Sequence, residues 1–225
     1  MVNNKIINDI LKNNFIFRNI NDADFNLILH KLSYTIKNYS QYSIIFSTGD
    51  KVDNIGIILS GKINIVKYDF WGNKFILRTC TNGDIFGENF ALSSNKISSV
   101  SVETVCNDTE ILFLNMSEII RIATEKNYFN LIENIVTSIC ETNIFLTKHL
   151  EILSQKNTTE KLMMYLSDVA KHNGTDTFSI PLNRQELSEY LAVDRAGLSV
   201  ILSKLQKEKI LKYDKNKFTL LKKLL

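Results

Sequence analysis

The sequence predicts an α+β protein with an N-terminal antiparallel β-roll or jelly roll, a long dimerisation helix and a C-terminal winged helix-turn-helix. Three observations carry this prediction. Six of the eight glycines fall between positions 49 and 87, and Gly49, Gly61, Gly72 and Gly83 recur at intervals of 12, 11 and 11 residues, the rhythm of short antiparallel strands joined by turns. Tyr128, Ile132, Ile135, Ile139, Thr142, Leu146, His149 and Leu153 alternate spacings of four and three, the a/d seam of a helix that meets another helix. Near the C-terminal end, Asn183 with Glu186, then Asp194, then Leu198, Leu202 and Leu205 mark two capped short helices, the second with an apolar inner face.

In chain order, Ile6, Ile7, Ile10 and Leu11, then Phe25, Ile28, Leu29 and Leu32, give a small helical cap broken near Asn13 and Asn14. From Tyr34 the pattern changes to short β-type runs: 43–46, 55–59, 62–68, 75–78, 100–105 and 110–114. Residues 116–125 read as a short helix leading into the 128–153 rod. No Gly or Pro interrupts that rod, so at ~1.5 Å per residue it runs for about 39 Å. A helix buried in its own domain is the other reading, because Thr142 and His149 make the seam imperfect. The polar run 154–158 suits a hinge, and 159–171 is a helix closed by His172, Asn173 and Gly174. Thr177 to Ile180 is a short strand. Pro181, the sole proline, precedes the Asn183 cap. Two short helices with Ala192 and Val193 as the turn, then a hairpin of 210–213 and 218–220, form the winged helix-turn-helix.

A chain of 225 residues with 44% hydrophobic and 23% charged residues fits two small domains better than one large one. The expected division is a β-roll domain at 1–125, dimerisation helix and hinge at 126–156, and a winged helix-turn-helix domain at 157–225. Residues 1–154 carry 14 Lys/Arg against 16 Asp/Glu, and residues 155–225 carry 13 against 8. A minor part near +5 beside a major part near −2 points to a polyanion partner, although a solvated lysine-rich surface has the same balance. The start has no apolar run ending in small residues and the chain no stretch of about 18 apolar residues, so a cytoplasmic protein without a membrane partner is expected. Cys80, Cys106 and Cys140 are scattered, with no C-x-x-C pair, which indicates neither a disulfide framework nor a zinc site.

With these residues in view, the chain resembles the Crp/Fnr family of bacterial transcription regulators over nearly its whole length. The segments that carry the resemblance are Gly49-Asp50, Ile57 to Gly61, Gly72, Gly83-Asp84-Ile85-Phe86-Gly87-Glu88, Arg184 to Leu187, and Asp194-Arg195 to Leu205. The resemblance implies a homodimer on double-stranded DNA at an inverted repeat, with RNA polymerase as an additional partner. It places the ligand pocket at Gly87, Glu88, Ser98, Ser99 and Thr147, and the dimer interface at Ile132, Ile135, Ile139, Thr142, Leu146, His149 and Leu153. DNA contacts are expected from Arg184, Gln185, Arg195, Ala196, Ser199, Val200, Ser203, Lys204, Lys212 and Lys217.

Two departures bear on function. Members that bind cyclic nucleotides clamp the phosphate with an Arg ten residues after the Glu. Here that position is Ser98, and no arginine stands between Arg78 and Arg121. Lys96 is the nearest cation, so a cyclic phosphate lacks its charge-assisted anchor and cyclic AMP is not the expected signal. The Gly83 to Glu88 turn serves the roll whether or not it binds anything. In the second helix, family members commonly place another Arg where Val200 stands, so a less guanine-dependent step is expected. No cofactor is identified and the effector is unknown: three dispersed cysteines do not make an iron–sulfur site. A haem ligand would have to come from His30, His149 or His172, although a lone histidine is usually not a ligand, and His149 on the seam is either a protonation sensor across the dimer or, more commonly for such a residue, an ordinary solvated or hydrogen-bonded histidine.

A cupin-like enzyme would need clustered His and a carboxylate in the roll, yet 34–114 contains no histidine. No nucleophile elbow, P-loop or H-E-x-x-H occurs either, so no enzyme is expected. A third reading, a ligand-binding dimer whose winged helix makes only protein contacts, sits less well with the +5 balance.

Overall fold

The strands form because β-branched and aromatic residues alternate between glycine turns, and in a computed structural model, which describes residues 9–125 and 128–221, they pair as two antiparallel four-stranded sheets. One sheet has the order β1-β8-β3-β6 and the other β2-β7-β4-β5. Their strands are β1 (Tyr34–Tyr39), β2 (Ile44–Phe46), β3 (Asn54–Ser60), β4 (Lys62–Tyr68), β5 (Lys74–Thr81), β6 (Ile85–Phe86), β7 (Ser101–Thr104) and β8 (Thr109–Asn115). Each of the six runs expected from the sequence falls on a strand. The sequence pattern does not mark β1 or β6: β1 alternates poorly because four of its six residues are exposed, and β6 is two residues long. The expected cap residues Ile6 and Ile7 lie outside the described residues, as does the 126 boundary.

The period-2 alternation divides the apolar residues between two cores. Ile55 and Ile57 of β3 with Leu112 and Leu114 of β8 face one core, which also takes Phe25 and Ile28 of α1 (Asp22–Lys31), Met116, Ile119 and Ile122 of α3 (Met116–Glu125), and Leu131 and Ile135 of α4 (Phe129–Leu153). Ile58 and Ile111 face the other, inside the roll, with Ile63, Cys80, Phe86 and Val102. Gly49, Gly61, Gly72 and Gly83 all have positive φ, as turn glycines require. Gly61 has a second reason: a Cβ there would lie 2.9 Å from the Thr109 Cα.

The chain divides into two compact units, one of residues 1–67 and 78–144, the other of 68–77 and 145–225. The second holds α5 (Thr158–Asn173), α6 (Arg184–Leu191), α7 (Arg195–Lys207) and a sheet of order β10-β11-β9, with β9 (Thr177–Ser179), β10 (Leu211–Asp214) and β11 (Lys217–Leu220). Its helices start and stop as the sequence requires. Asn157 caps α5 by accepting from the Glu160 N–H, and Gly174 ends it in the left-handed region. Asn183 and Glu186 form a capping box on α6, and the Asp194 carboxylate accepts from the Gly197 N–H at the start of α7.

Candidate functional site

Leu198, Leu202 and Leu205 are fully or almost fully buried, so at 100° per residue the opposite face of α7 is turned to solvent. Ala196, Ser203 and Lys207 are exposed there and Val200 is 68% exposed, while Lys204 to one side and Arg195 at the helix N-terminus are also exposed and Ser199 is half-buried. Ser199 and Ser203 donate to the carbonyls of Arg195 and Ser199 at 3.0 Å each, which uses their donors and leaves their oxygens acceptor capacity. Lys212 and Lys217 are exposed on the paired strands of the wing. Gln185 is exposed and donates to Glu189 at 2.8 Å.

Arg184 does not project freely. Its guanidinium carbon lies 5.0 Å from the centroid of the Tyr213 ring, its Nη2 donates to the Lys215 carbonyl at 3.5 Å, and its buried Nη1 has no hydrogen-bond partner among the described residues. Burial lowers its pKa. The side chain braces the wing against α6, a cation–π role that the sequence pattern does not show.

On α4 the seam splits. Ile132, Ile139, Leu146 and Leu153 are half-buried, but Ile135 lies in the roll's helical core, and Thr142 and His149 are 9% and 3% exposed. The expected interface residues Ile135, Thr142 and His149 therefore face their own chain. The cause is one of phase: a line four residues behind the 132–139–146–153 row and a line four ahead of it both give alternating fours and threes. The line ahead is the open one, with Val136 53% and Leu150 66% exposed and Asn143 exposed between them. His149 is no free sensor, since its ring stacks on Tyr190 with centroids 3.9 Å and planes 5° apart. Burial lowers its pKa.

The expected ligand pocket is likewise rearranged. Gly87, with φ of +86°, caps the short helix α2 (Glu88–Ala91), and Glu88 is 3% exposed. Thr142 Oγ1 lies 3.4 Å from Glu88 Oε1 and accepts from Arg78 Nη1 at 3.2 Å. Arg78 Nη2 stands 3.7 Å from Asp84 Oδ1. Burial raises the Glu88 pKa, against the pull of the Arg78 charge. Ser98 is taken up in its own turn, its hydroxyl donating to the Val100 carbonyl at 2.7 Å. Ser99 and Thr147 are exposed. Lys96 is paired with Asp53 at 2.9 Å. The cation beside Glu88 is therefore Arg78, which sequence reasoning missed because it comes from β5 and its partner on α4 is 64 residues away.

Burial pushes the Cys80 thiol up to about 12, which leaves it without thiolate character. Among the described residues no group of His, Cys, Asp and Glu could hold a metal ion, and no helix is long and apolar enough to cross a membrane. In the second unit, Lys74 of the β4–β5 hairpin lies 3.8 Å from Glu189 of α6.

Residues 36–126 match the family model of the cyclic nucleotide-binding domain, and residues 160–223 match that of the Crp-like helix-turn-helix domain. Over 179 residues the chain is 26% identical to ycf28 of Porphyra purpurea, a protein named as an HTH-type transcriptional regulator, covering 77% of this chain and 72% of that protein. The structure of CLP from Xanthomonas campestris, a c-di-GMP responsive global regulator, superposes with a TM-score of 0.70 at 15% identity, covering 90% of this chain and 100% of that one. FixK2 from Bradyrhizobium japonicum superposes with 0.68 at 18%, covering 85% and 94%. At such identities the two structures establish a shared fold.

Proposed function

We propose, starting from a chain that belongs to the Crp/Fnr family of transcription regulators, that this protein is a homodimeric, sequence-specific DNA-binding regulator whose signal is not cyclic AMP. The family is one of transcription regulators rather than enzymes. The observation that carries the reading is the outward face of α7, where small polar groups, a lysine and a 68%-exposed valine, with an exposed arginine at the helix N-terminus, stand on a helix whose other face is packed away. A valine so exposed has no folding reason, whereas an apolar side chain in a major groove contacts the thymine methyl.

In this reading Arg195, Ala196, Ser199, Val200 and Ser203 meet base edges, and Lys204, Lys207, Lys212 and Lys217 meet phosphates. Arg184 holds the wing that presents the last two. The dimer forms along Ile132, Val136, Ile139, Leu146, Leu150 and Leu153. Two copies of α7 then address an inverted repeat with half-sites about 34 Å apart. Residues 1–125 act as the sensor, 126–156 as dimer helix and hinge, and 157–225 as the DNA-binding domain, with RNA polymerase as a further partner. Against cyclic AMP stands the engagement of the local donors: Ser98 bonds its own turn, Lys96 pairs with Asp53 and Arg78 is held by Thr142 and Asp84. The fold admits other signals, since CLP responds to c-di-GMP. Sequencing the fragments that the purified protein retains from sheared genomic DNA tests the reading. An enriched inverted repeat is expected, and uniform recovery of all sequences would contradict it.

A further inference from the structure

One guanidinium group links three separate elements of the roll unit. Arg78 on β5 donates through Nη1 to Thr142 on α4, and the Thr142 hydroxyl in turn lies within hydrogen-bond reach of Glu88 on α2. Through Nη2 the same group stands beside Asp84, a carboxylate fixed in its turn by the Thr81 N–H at 2.8 Å. The donor sequence is consistent: the guanidinium gives to the Thr oxygen and the Thr O–H gives to the carboxylate. Thr142 and Glu88 are almost fully buried and the Arg78 side chain is 23% exposed, so the fork is fixed at a site largely removed from water, where charged hydrogen bonds count most.

We propose that Arg78 is a built-in occupant of the roll, a positioning residue that ties the 84–88 turn to the dimer helix and so does inside one chain what a bound effector would otherwise have to do. This inference rests on the regulator reading and goes beyond it, since it assigns the attachment of α4 to a residue of the protein itself. A small molecule entering beside Glu88 has to displace the Arg78–Thr142 bond, and a ligand carrying its own guanidinium or amidinium group is the chemistry that can replace it.

The test compares wild type with Arg78→Ala and Arg78→Lys by hydrogen–deuterium exchange over residues 138–146 and by DNA affinity. Loss of one charged hydrogen bond is worth about tenfold or more. Arg78→Ala is expected to raise exchange in that segment and to weaken DNA binding by about that factor. Millimolar methylguanidine should reverse both, urea should reverse neither, and the wild type should respond to neither. Arg78→Lys, which keeps the charge but not the fork, should fall between and serves if the alanine variant does not fold. Unchanged exchange in both variants would overturn the proposal, as would a loss in Arg78→Ala that methylguanidine and urea leave equally unrepaired. The exchange arm stands without DNA, so a wild type that bound no DNA would refute the regulator reading alone.

Discussion

His149 Nε2 lies 2.8 Å from the carbonyl oxygen of Tyr190 while its ring lies flat on the Tyr190 phenol. The neutral imidazole can donate there, and burial opposes a second proton, so the pKa of the folded protein sits below the ordinary 6.5. A depressed folded value means that the unfolded chain binds the proton more readily. The contribution is fully present above about pH 6.5 and is lost as pH falls through the lowered value. Glu88, raised by burial, works in the other direction at its own site: its contribution is present below the ordinary carboxylate value and declines as pH rises through the raised one. Thermal melts between pH 8 and pH 5 should show the wild type losing stability on acidification relative to His149→Phe, which keeps a stacking ring and cannot be protonated. Parallel curves would contradict the assignment.

The second prediction concerns the roll. Gly61→Ala combines a backbone at φ of +98° with a Cβ that meets Thr109 backbone at 2.9 Å, and Thr109 is fully buried. A loss of about 1–3 kcal/mol is expected in denaturant unfolding. Gly72→Ala, with a similar φ and open space around the Cβ, should lose less, because strain alone remains. Equal losses would mean that the contact with Thr109 is relieved at no cost.

The third concerns assembly. Val136→Glu or Leu150→Glu places a charge on a side chain that is exposed in the single chain and covered in the proposed dimer, costing several kcal/mol there and little in the protomer. Sedimentation should find folded monomers at micromolar concentration. Ile135→Asp should instead unfold the roll unit, since Ile135 is 3% exposed in its core. Intact dimers with Glu at 136 or 150 would place the interface elsewhere.

Much of this architecture is local and so was legible. The Asn183–Glu186 box, the Asp194 cap, the Leu198–Leu202–Leu205 face and the positive-φ glycines each depend on residues within a few positions of one another. Ile132, Ile139, Leu146 and Leu153 do form one half-buried row, but which row lies open beside it was not legible. A helix that is buried in its own unit along one side and exposed along the next carries two overlapping periodicities, and spacing cannot tell which is which. Arg78 was illegible for a different reason. Its partners come from α4 and from the 84–88 turn, and neither strand alternation nor a motif offset reports which long side chain crosses between elements. The pairing of Arg184 with Tyr213 escaped on the same ground.

The fourth prediction separates base contacts from phosphate contacts. Arg195→Ala should lose about 1–3 kcal/mol and relax one base position. Lys212→Ala or Lys217→Ala should weaken all sequences alike and reduce the salt slope by about one. Tyr213→Ala, which removes the ring under Arg184, should reproduce the wing phenotype without removing a cation. Equal losses on specific and random DNA for Arg195→Ala would put that residue on phosphate.

The most direct measurement is a DNA-binding titration on the selected inverted repeat, with and without cyclic AMP or cyclic GMP, supported by calorimetry with each nucleotide alone. Removing a charge-assisted phosphate clamp weakens such a ligand by roughly 10- to 150-fold. The expected result is specific binding by the dimer that neither nucleotide alters. A nucleotide dissociation constant in the low micromolar range, or a DNA affinity that rises more than about tenfold on adding cyclic AMP, would contradict the account.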